Sequence, residues 1–332
     1  MMFAAAAAAC ALQVFSPAGT PRSAPVRGPA LVLSGAGLSG MPYPRVLAWI
    51  DAHVDRGANA RGGNLLILAA SGGRDYSDDF YRNSRLASVR EITIPPCARR
   101  SDVDRAAAYV RDAQIVLFAG GDQANYVRWK GSRLIQAIRA LYRRGGIVGG
   151  GSAGLAIQGQ YVYDSVAADR VLPDDQNVDT KDAVRNPFEP AISFTTGFFD
   201  WPPLRDSITD THFARRDRFG RLAAFMARLR AAYGVAVDED AALLFEPDGR
   251  ATLVQRARES GGYVPRGAYI LSDGAALRLR AGVPLLYRVR VLHLTLNGAT
   301  YDFRTHRGSG NSYTIVVDGA RHPPYSHNPY EP

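Results

Sequence analysis

Cysteine is scarce: Cys10 and Cys97 are the only two in 332 residues. That excludes a disulfide-dense scaffold and a cysteine-rich zinc module. Lysine is equally rare. Only Lys130 and Lys181 occur among 40 basic residues, and the rest are arginine. Against 31 acidic residues they give a formal net charge of +9. Such an excess admits acidic partners, anionic surfaces or nucleic acid. The arginines are scattered and form no basic run, so nucleic acid is not the expected partner. Beyond the N-terminus no segment reaches membrane-spanning length without charges, and no membrane association is expected. There is no repeat at solenoid spacing. No His, Cys, Asp or Glu cluster has metal-ligand spacing, so neither metal nor other cofactor is called for.

What remains is globular material. Hydrophobic residues make up 46% and charged residues 21%, which excludes a disordered or fibrous chain. The length suits one large domain or two modest ones at roughly 150 residues each. The first residues read MMFAAAAAACALQV, an apolar stretch of signal-peptide length without a positive start. Ser16, Pro17, Ala18, Gly19 and Pro21 follow and suit a cleavage zone. Residues 1–25 are therefore expected to be a signal peptide or a disordered tail. A signal would make the protein secreted or periplasmic; otherwise it is cytoplasmic. Its removal would leave Cys97 as the sole thiol.

From about residue 30 to 165, short apolar runs alternate with amphipathic stretches. The runs are Leu31–Ser34, Asn64–Ala70, Val89–Ile94, Gln114–Ala119 and Gly146–Gly150. Helical spacing is predicted for Tyr43–Arg56, Asp102–Asp112 and Ser132–Arg144. This alternation predicts an α/β fold, a mostly parallel sheet covered by helices on both faces. Ligands on such sheets sit at the carboxyl ends of the strands. Four of the five runs end there in glycine-rich turns. Asp169–Arg205 lacks periodicity and reads as a long excursion, and His212–Tyr233 reads as a helix. Additional C-terminal β-strands are expected from Gly234 onward, with a hairpin turn at Asn297-Gly298. Residues 28–305 are expected to form the α/β domain, and 306–332 an extension with one strand and a proline-rich tail.

Gly150-Gly151-Ser152-Ala153-Gly154 falls where a strand ends and a helix begins. Glycines flank a serine there when a strained turn leaves no space for Cβ atoms and lifts the hydroxyl above the sheet. The backbone N–H of Ala153 could then face an oxyanion. A phosphate cradle and a plain tight turn fit the same residues. A nucleophilic serine needs a base, and the base needs an orienting group. Of six histidines, His53 is expected on a surface helix, His293 in a strand, and His306, His322 and His327 near the tail. His212 stands where a loop enters a helix. Asp238, Glu239 and Asp240 follow an apolar run and are the acid candidates, or else a charged turn. The order serine, histidine, acid suits a class I glutamine amidotransferase-like arrangement on a flavodoxin-like sheet.

Four segments together resemble the cyanophycinase and related exopeptidase family, serine peptidases that include aspartyl dipeptidase. They are Phe118-Ala119-Gly120-Gly121-Asp122-Gln123, Gly151-Ser152-Ala153-Gly154, Asp210-Thr211-His212-Phe213 with Arg216, Arg218 and Arg221, and Gly234–Ala242. The resemblance implies Ser152 as nucleophile, His212 as base and Glu239 as its partner. Ala153 and either Gly120 or Gly121 would supply oxyanion donors. Gln123, Asp210, Thr211, Arg218, Arg221 and Asp240 would hold substrate. Thr211 and Asp240 replace the family's glutamine and asparagine, which leaves the substrate open. Cyanophycin or a related peptide, cut to dipeptides such as β-Asp-Arg, is the implied substrate, and a homodimer is possible. An aspartyl or short-peptide dipeptidase and a non-catalytic protein that binds an acidic ligand are the alternatives.

Overall fold

A computed structural model describes residues 10–331, except 42, 58–59, 72–74, 174–176 and 258–262 and the side chains of 276–277. Two of the expected turn residues, Gly72 and Gly73, and residues 1–9 of the predicted leader therefore lie outside the described residues. The five apolar runs form strands β1 (Ala30–Ser34), β2 (Asn64–Ala69), β3 (Ser88–Thr93), β4 (Ile115–Phe118) and β5 (Ile147–Gly151). They pair in parallel in the order β3-β2-β4-β5-β1. The α/β fold is flavodoxin-like: β3-β2-β4-β5 keep its two-one-three-four order, and β1 takes the fifth place.

The rest of the chain builds two sheets rather than one. Strands β6 (Tyr161–Tyr163), β7 (Phe194–Thr196), β8 (Ser207–Asp210) and β9 (Tyr233–Val237) begin a second sheet. Strand β10 (Ala241–Phe245) returns to the first, antiparallel to β1, and β11 (Arg250–Gln255) pairs antiparallel with β10. Strands β12 (Ala268–Arg278) and β13 (Leu286–Leu294) join the second, β14 (Thr300–Asp302) the first, and β15 (Asn311–Asp318) closes the second. The hairpin expected at Asn297-Gly298 is corrected. Gly298 takes the positive φ of 85° that a turn favours. However, β13 pairs with β12 and β15, and β14 pairs with β11, so the turn crosses between sheets.

Parallel strands with no exposed residue need cover on both sides. Ala30 and Val32 of β1 pack with helices α1 (Tyr43–His53) and α2 (Ser77–Arg82). Leu31 and Leu33 pack with α3 (Arg100–Val110), α4 (Arg133–Arg143) and the inner face of the second sheet. Helix α4 presents Leu134, Ile135, Ile138 and Leu141 on one stripe, and the Ser132 hydroxyl caps the Ile135 N–H at 3.2 Å. Full burial of each such leucine contributes roughly 1.5–3 kcal/mol. After the short turn helix α5 (Ala153–Ala156), helix α6 (Phe219–Leu229) covers the far face of the second sheet.

Residues 10–25 are corrected as well. They are not a free tail: Gln13–Val14 and Ala18–Gly19 pair with β3, and Cys10 forms a disulfide with Cys97. The C-terminal tail also packs. The hydroxyls of Tyr325 and Tyr330 donate to Asp217 Oδ1 at 2.6 and 2.8 Å, and they accept from the Gly220 and Phe219 N–H groups. Glu331 pairs with Arg266. Among the described residues no helix is long and apolar enough to cross a membrane.

Candidate active site

Strand β5 ends in three glycines because its neighbours are too close for side chains. A Cβ on Gly149 would lie 2.0 Å from the Val32 carbonyl oxygen, and one on Gly151 would lie 2.2 Å from that of Ala36. Ser152 then turns the chain at φ 53° and ψ −119°, outside the regions a serine prefers. A Cβ on Gly154 would lie 2.3 Å from the Phe118 carbonyl oxygen, so α5 can only start this close to β4 without one. Gly154→Ala is expected to cost about 1–3 kcal/mol through overpacking, measured by denaturant unfolding.

The second loop at this rim is Gly120-Gly121. A Cβ on Gly120 would lie 3.5 Å from Ser152 Cβ, and Gly121 takes a positive φ of 129°. Asp122 then caps the short helix Gln123–Val127 by accepting from the Ala124 N–H at 2.9 Å. This fixes Gln123, whose amide donates to Ser165 Oγ at 2.5 Å.

The third loop follows β8. The predicted helix at His212 begins only at Phe219, because His212 and Asp217 both take positive φ, 46° and 44°. Arg230 ends the helix with φ 54°, before β9. The His212 N–H donates to the Gly35 carbonyl at 2.9 Å, so the turn is tied to the end of β1. Ser152 Oγ lies 2.8 Å from His212 Nε2. On the other side of the ring, His212 Nδ1 lies 2.6 Å from Glu239 Oε1. Three residues from distant parts of the chain thus form one hydrogen-bonded line.

Burial, then the nearby Arg216 charge, hold the imidazole down to about 4 against the opposing hydrogen bond to Glu239. At neutral pH the ring is uncharged. With Nδ1–H donating to Glu239, Nε2 is free to accept the serine proton. A small polar recess of about 40 Å³ adjoins Ser152 and is lined by Gly121, Gln123, Ala153, Tyr163, Asn177 and Thr211 as well as charged groups. The charged lining is Arg216, Arg218 and Arg221 against Asp210 alone, which suits an anion. Arg221 and Asp210 form a two-pronged buried pair, Nε–Oδ2 2.8 Å and Nη2–Oδ1 2.5 Å. Arg218 donates to the Thr211 carbonyl and hydroxyl at 3.0 and 2.9 Å. Burial, then the adjacent Arg221, pull its guanidinium down to about 9, still cationic at neutral pH.

Eleven of the twelve anticipated residues therefore meet around one rim or its recess: Ser152, His212, Glu239, Ala153, Gly120, Gly121, Gln123, Asp210, Thr211, Arg218 and Arg221. Arg221, however, gives its donors to Asp210 and the Val178 carbonyl. Asp240 lies outside the lining and pairs with Arg256 at 3.2 Å. His53 is buried rather than on the surface, with Nε2 2.9 Å from Glu246. Sequence reading alone assigns no role to Gly35, Tyr163, Asn177 or Tyr263. It offers Asp238 only as an alternative acid. The glycine-bounded end of β1 was the one available sign of Gly35. Among the described residues no group of three or more His, Cys, Asp or Glu side chains could hold a metal.

Cyanophycinases from Synechococcus elongatus and Thermosynechococcus vestitus are each 28% identical to the chain over 241 residues. The chain is similar to these cyanophycinases. The match covers 71% of the chain and 66% of each relative, just under two thirds of their length. A cyanophycinase from Geminocystis herdmanii is 23% identical over 207 residues, covering 60% of the chain and 66% of that protein. No family model matches. Among solved structures, a peptidase from an acI-B1 Actinobacterium has a TM-score of 0.43 at 17% identity, over 71% of the chain and 90% of that one. A putative peptidase E from Listeria monocytogenes has a TM-score of 0.41 at 13% identity, over 69% and 98%.

Proposed function

We propose that the chain is a serine-type exopeptidase acting on cyanophycin or a related acidic peptide. The single observation that carries this is the line from Ser152 Oγ through His212 to Glu239, at 2.8 and 2.6 Å. Ser152 attacks the scissile carbonyl as His212 Nε2 takes its proton. Glu239 holds the ring in the tautomer that allows this and stabilises the cation formed. The Ala153 N–H and one from Gly120 or Gly121 receive the oxyanion, each such donor worth about 3–4 kcal/mol in the transition state. The imidazolium returns the proton to the leaving amine, and water releases the acyl group by the same steps. The excess cationic charge in the recess supports a carboxylate on the acyl side of the substrate.

Incubation with cyanophycin and, separately, with aspartyl dipeptides tests the reading by product mass. β-Asp-Arg is expected from the polymer. If neither substrate changes and a serine-directed phosphonate leaves Ser152 unlabelled, the chain is a binding protein instead. The Cys10–Cys97 bond supports an oxidising, extracytoplasmic location. It also requires that residue 10 stay in the mature chain, which intact mass would show.

The low His212 value sets a pH expectation. The acid limb of kcat/KM should fall near 4 rather than at the ordinary 6.5, since only the neutral ring accepts a proton. Arg216→Gln removes a cation facing the ring and should move that limb upward. A limb that stays put in a pH profile of the variant would refute the electrostatic cause. Between those two values the unfolded chain binds a proton that folded His212 refuses, so this residue costs stability as pH falls through that window.

A further inference from the structure

We propose that Asp238 is a positioning residue for the reaction, whose carboxylate sets the turn that carries His212 and thereby the imidazole's approach to Ser152. The inference rests on the serine-peptidase reading above. Asp238 is fully buried, and it neither touches Ser152 nor lines the recess. Its carboxylate nonetheless accepts four hydrogen bonds from two separate segments. Oδ1 takes the Ala214 and Arg215 N–H groups, both at 3.0 Å, from the turn that begins at His212. Oδ2 takes the Arg266 N–H at 3.1 Å and the Tyr263 hydroxyl. Tyr263 also holds the turn by its ring, with the Arg215 guanidinium carbon 4.9 Å from the ring centre.

The next residue, Glu239, holds the other face of the same imidazole. Asp238 and Glu239 thus grip the turn by its backbone and by its side chain. Gly35 completes the junction. Its carbonyl accepts from the His212 N–H, and a Cβ on it would lie 1.9 Å from the Asp238 carbonyl oxygen. An ionised carboxylate is an acceptor at all four of these positions, whereas an amide must turn a donor toward one pair of donors. No substitution serves the four donors as aspartate does. The charged groups that face His212 are Glu239, Arg216 and Arg218, and Asp238 acts on the ring through none of them directly.

The test uses the full chain with Asp238→Asn and Tyr263→Phe, reading steady-state kinetics and, without turnover, the His212 imidazole titration by NMR. Asp238→Asn should lower kcat roughly 10- to 100-fold while KM changes about twofold or less, as expected for a small misplacement of the base. The His212 titration should rise from about 4 toward 6.5 as the loosened ring gains water. Tyr263→Phe should move both in the same direction by less, and it decides the matter if Asp238→Asn does not fold. Unchanged kcat and unchanged titration in these variants, even with a lowered Tm, would overturn the proposal. Failure of the hydrolytic reading looks different: the parent protein would turn over nothing, yet its His212 titration would still respond to Asp238→Asn.

Discussion

Ser152→Ala should lower kcat by roughly 10⁴- to 10⁶-fold while leaving the denaturation midpoint nearly unchanged. The hydroxyl is the only atom lost, and it belongs to no packed core. The strained turn is set by the glycines around it, so the backbone keeps its path. What remains is the residual catalysis of the oxyanion donors and the bound geometry, which need no hydroxyl. His212→Ala should be nearly as damaging. The double variant should be little worse than either single one, because the members of such a line act as a unit. Steady-state rates together with phosphonate labelling check both points. Activity above about a hundredth of the parent in Ser152→Ala would remove this serine from the chemistry.

Asp210→Ala is the second large effect, and it is on stability. The Asp210 and Arg221 side chains are each 4% exposed and joined by two charge-assisted hydrogen bonds. The Asp210 carboxylate helps raise the Arg221 guanidinium above its usual range, although burial pulls it the other way. Removing the carboxylate leaves a cation in the interior whose remaining hydrogen-bond acceptor, among the described residues, is the Val178 carbonyl, with the rings of Tyr163 and Phe225 beside it. Breaking such a pair costs about 3–5 kcal/mol. Replacing both partners, Asp210→Leu with Arg221→Met, should cost distinctly less, since no charge is then stranded. Denaturant unfolding of the three variants separates the cases. A loss under about 1 kcal/mol in Asp210→Ala would mean that water reaches the guanidinium.

The same pair shows where sequence reading stops. Asp210, Arg218 and Arg221 carry the right charges for holding substrate, and spacing puts the two arginines on neighbouring positions. Nothing in the order of residues says that Arg221 spends its donors on Asp210 while Arg218 turns to Thr211. By contrast, the turn at Ser152 was legible because its requirement is local: three glycines where neighbouring backbones leave no room for a Cβ. The parallel strands were legible for a similar reason, since burial on both faces forces continuous apolar runs. The division of the later strands between two sheets was not. Alternating patterns in β13 and β14 look alike whichever partner they choose, and Asn297-Gly298 permits a turn without deciding where the chain goes next. Cys10 and Cys97 are 87 residues apart, and the pairing of Gln13–Val14 and Ala18–Gly19 with β3 brings them together. Of the six histidines, His212 is the one whose Nε2 lies 2.8 Å from Ser152 Oγ, but it stands on a turn and not on the expected helix, because a positive φ at histidine leaves no mark in composition.

The two phenols of the C-terminal tail make the ends of this protein unequal ground for an engineer. Tyr325 and Tyr330 both reach Asp217, five residues past His212. A shortened chain lacking them, or a fusion that pulls them away, would disturb the reactive rim while both sheets stayed intact. Such a loss of performance would be easy to mistake for damage to the serine itself.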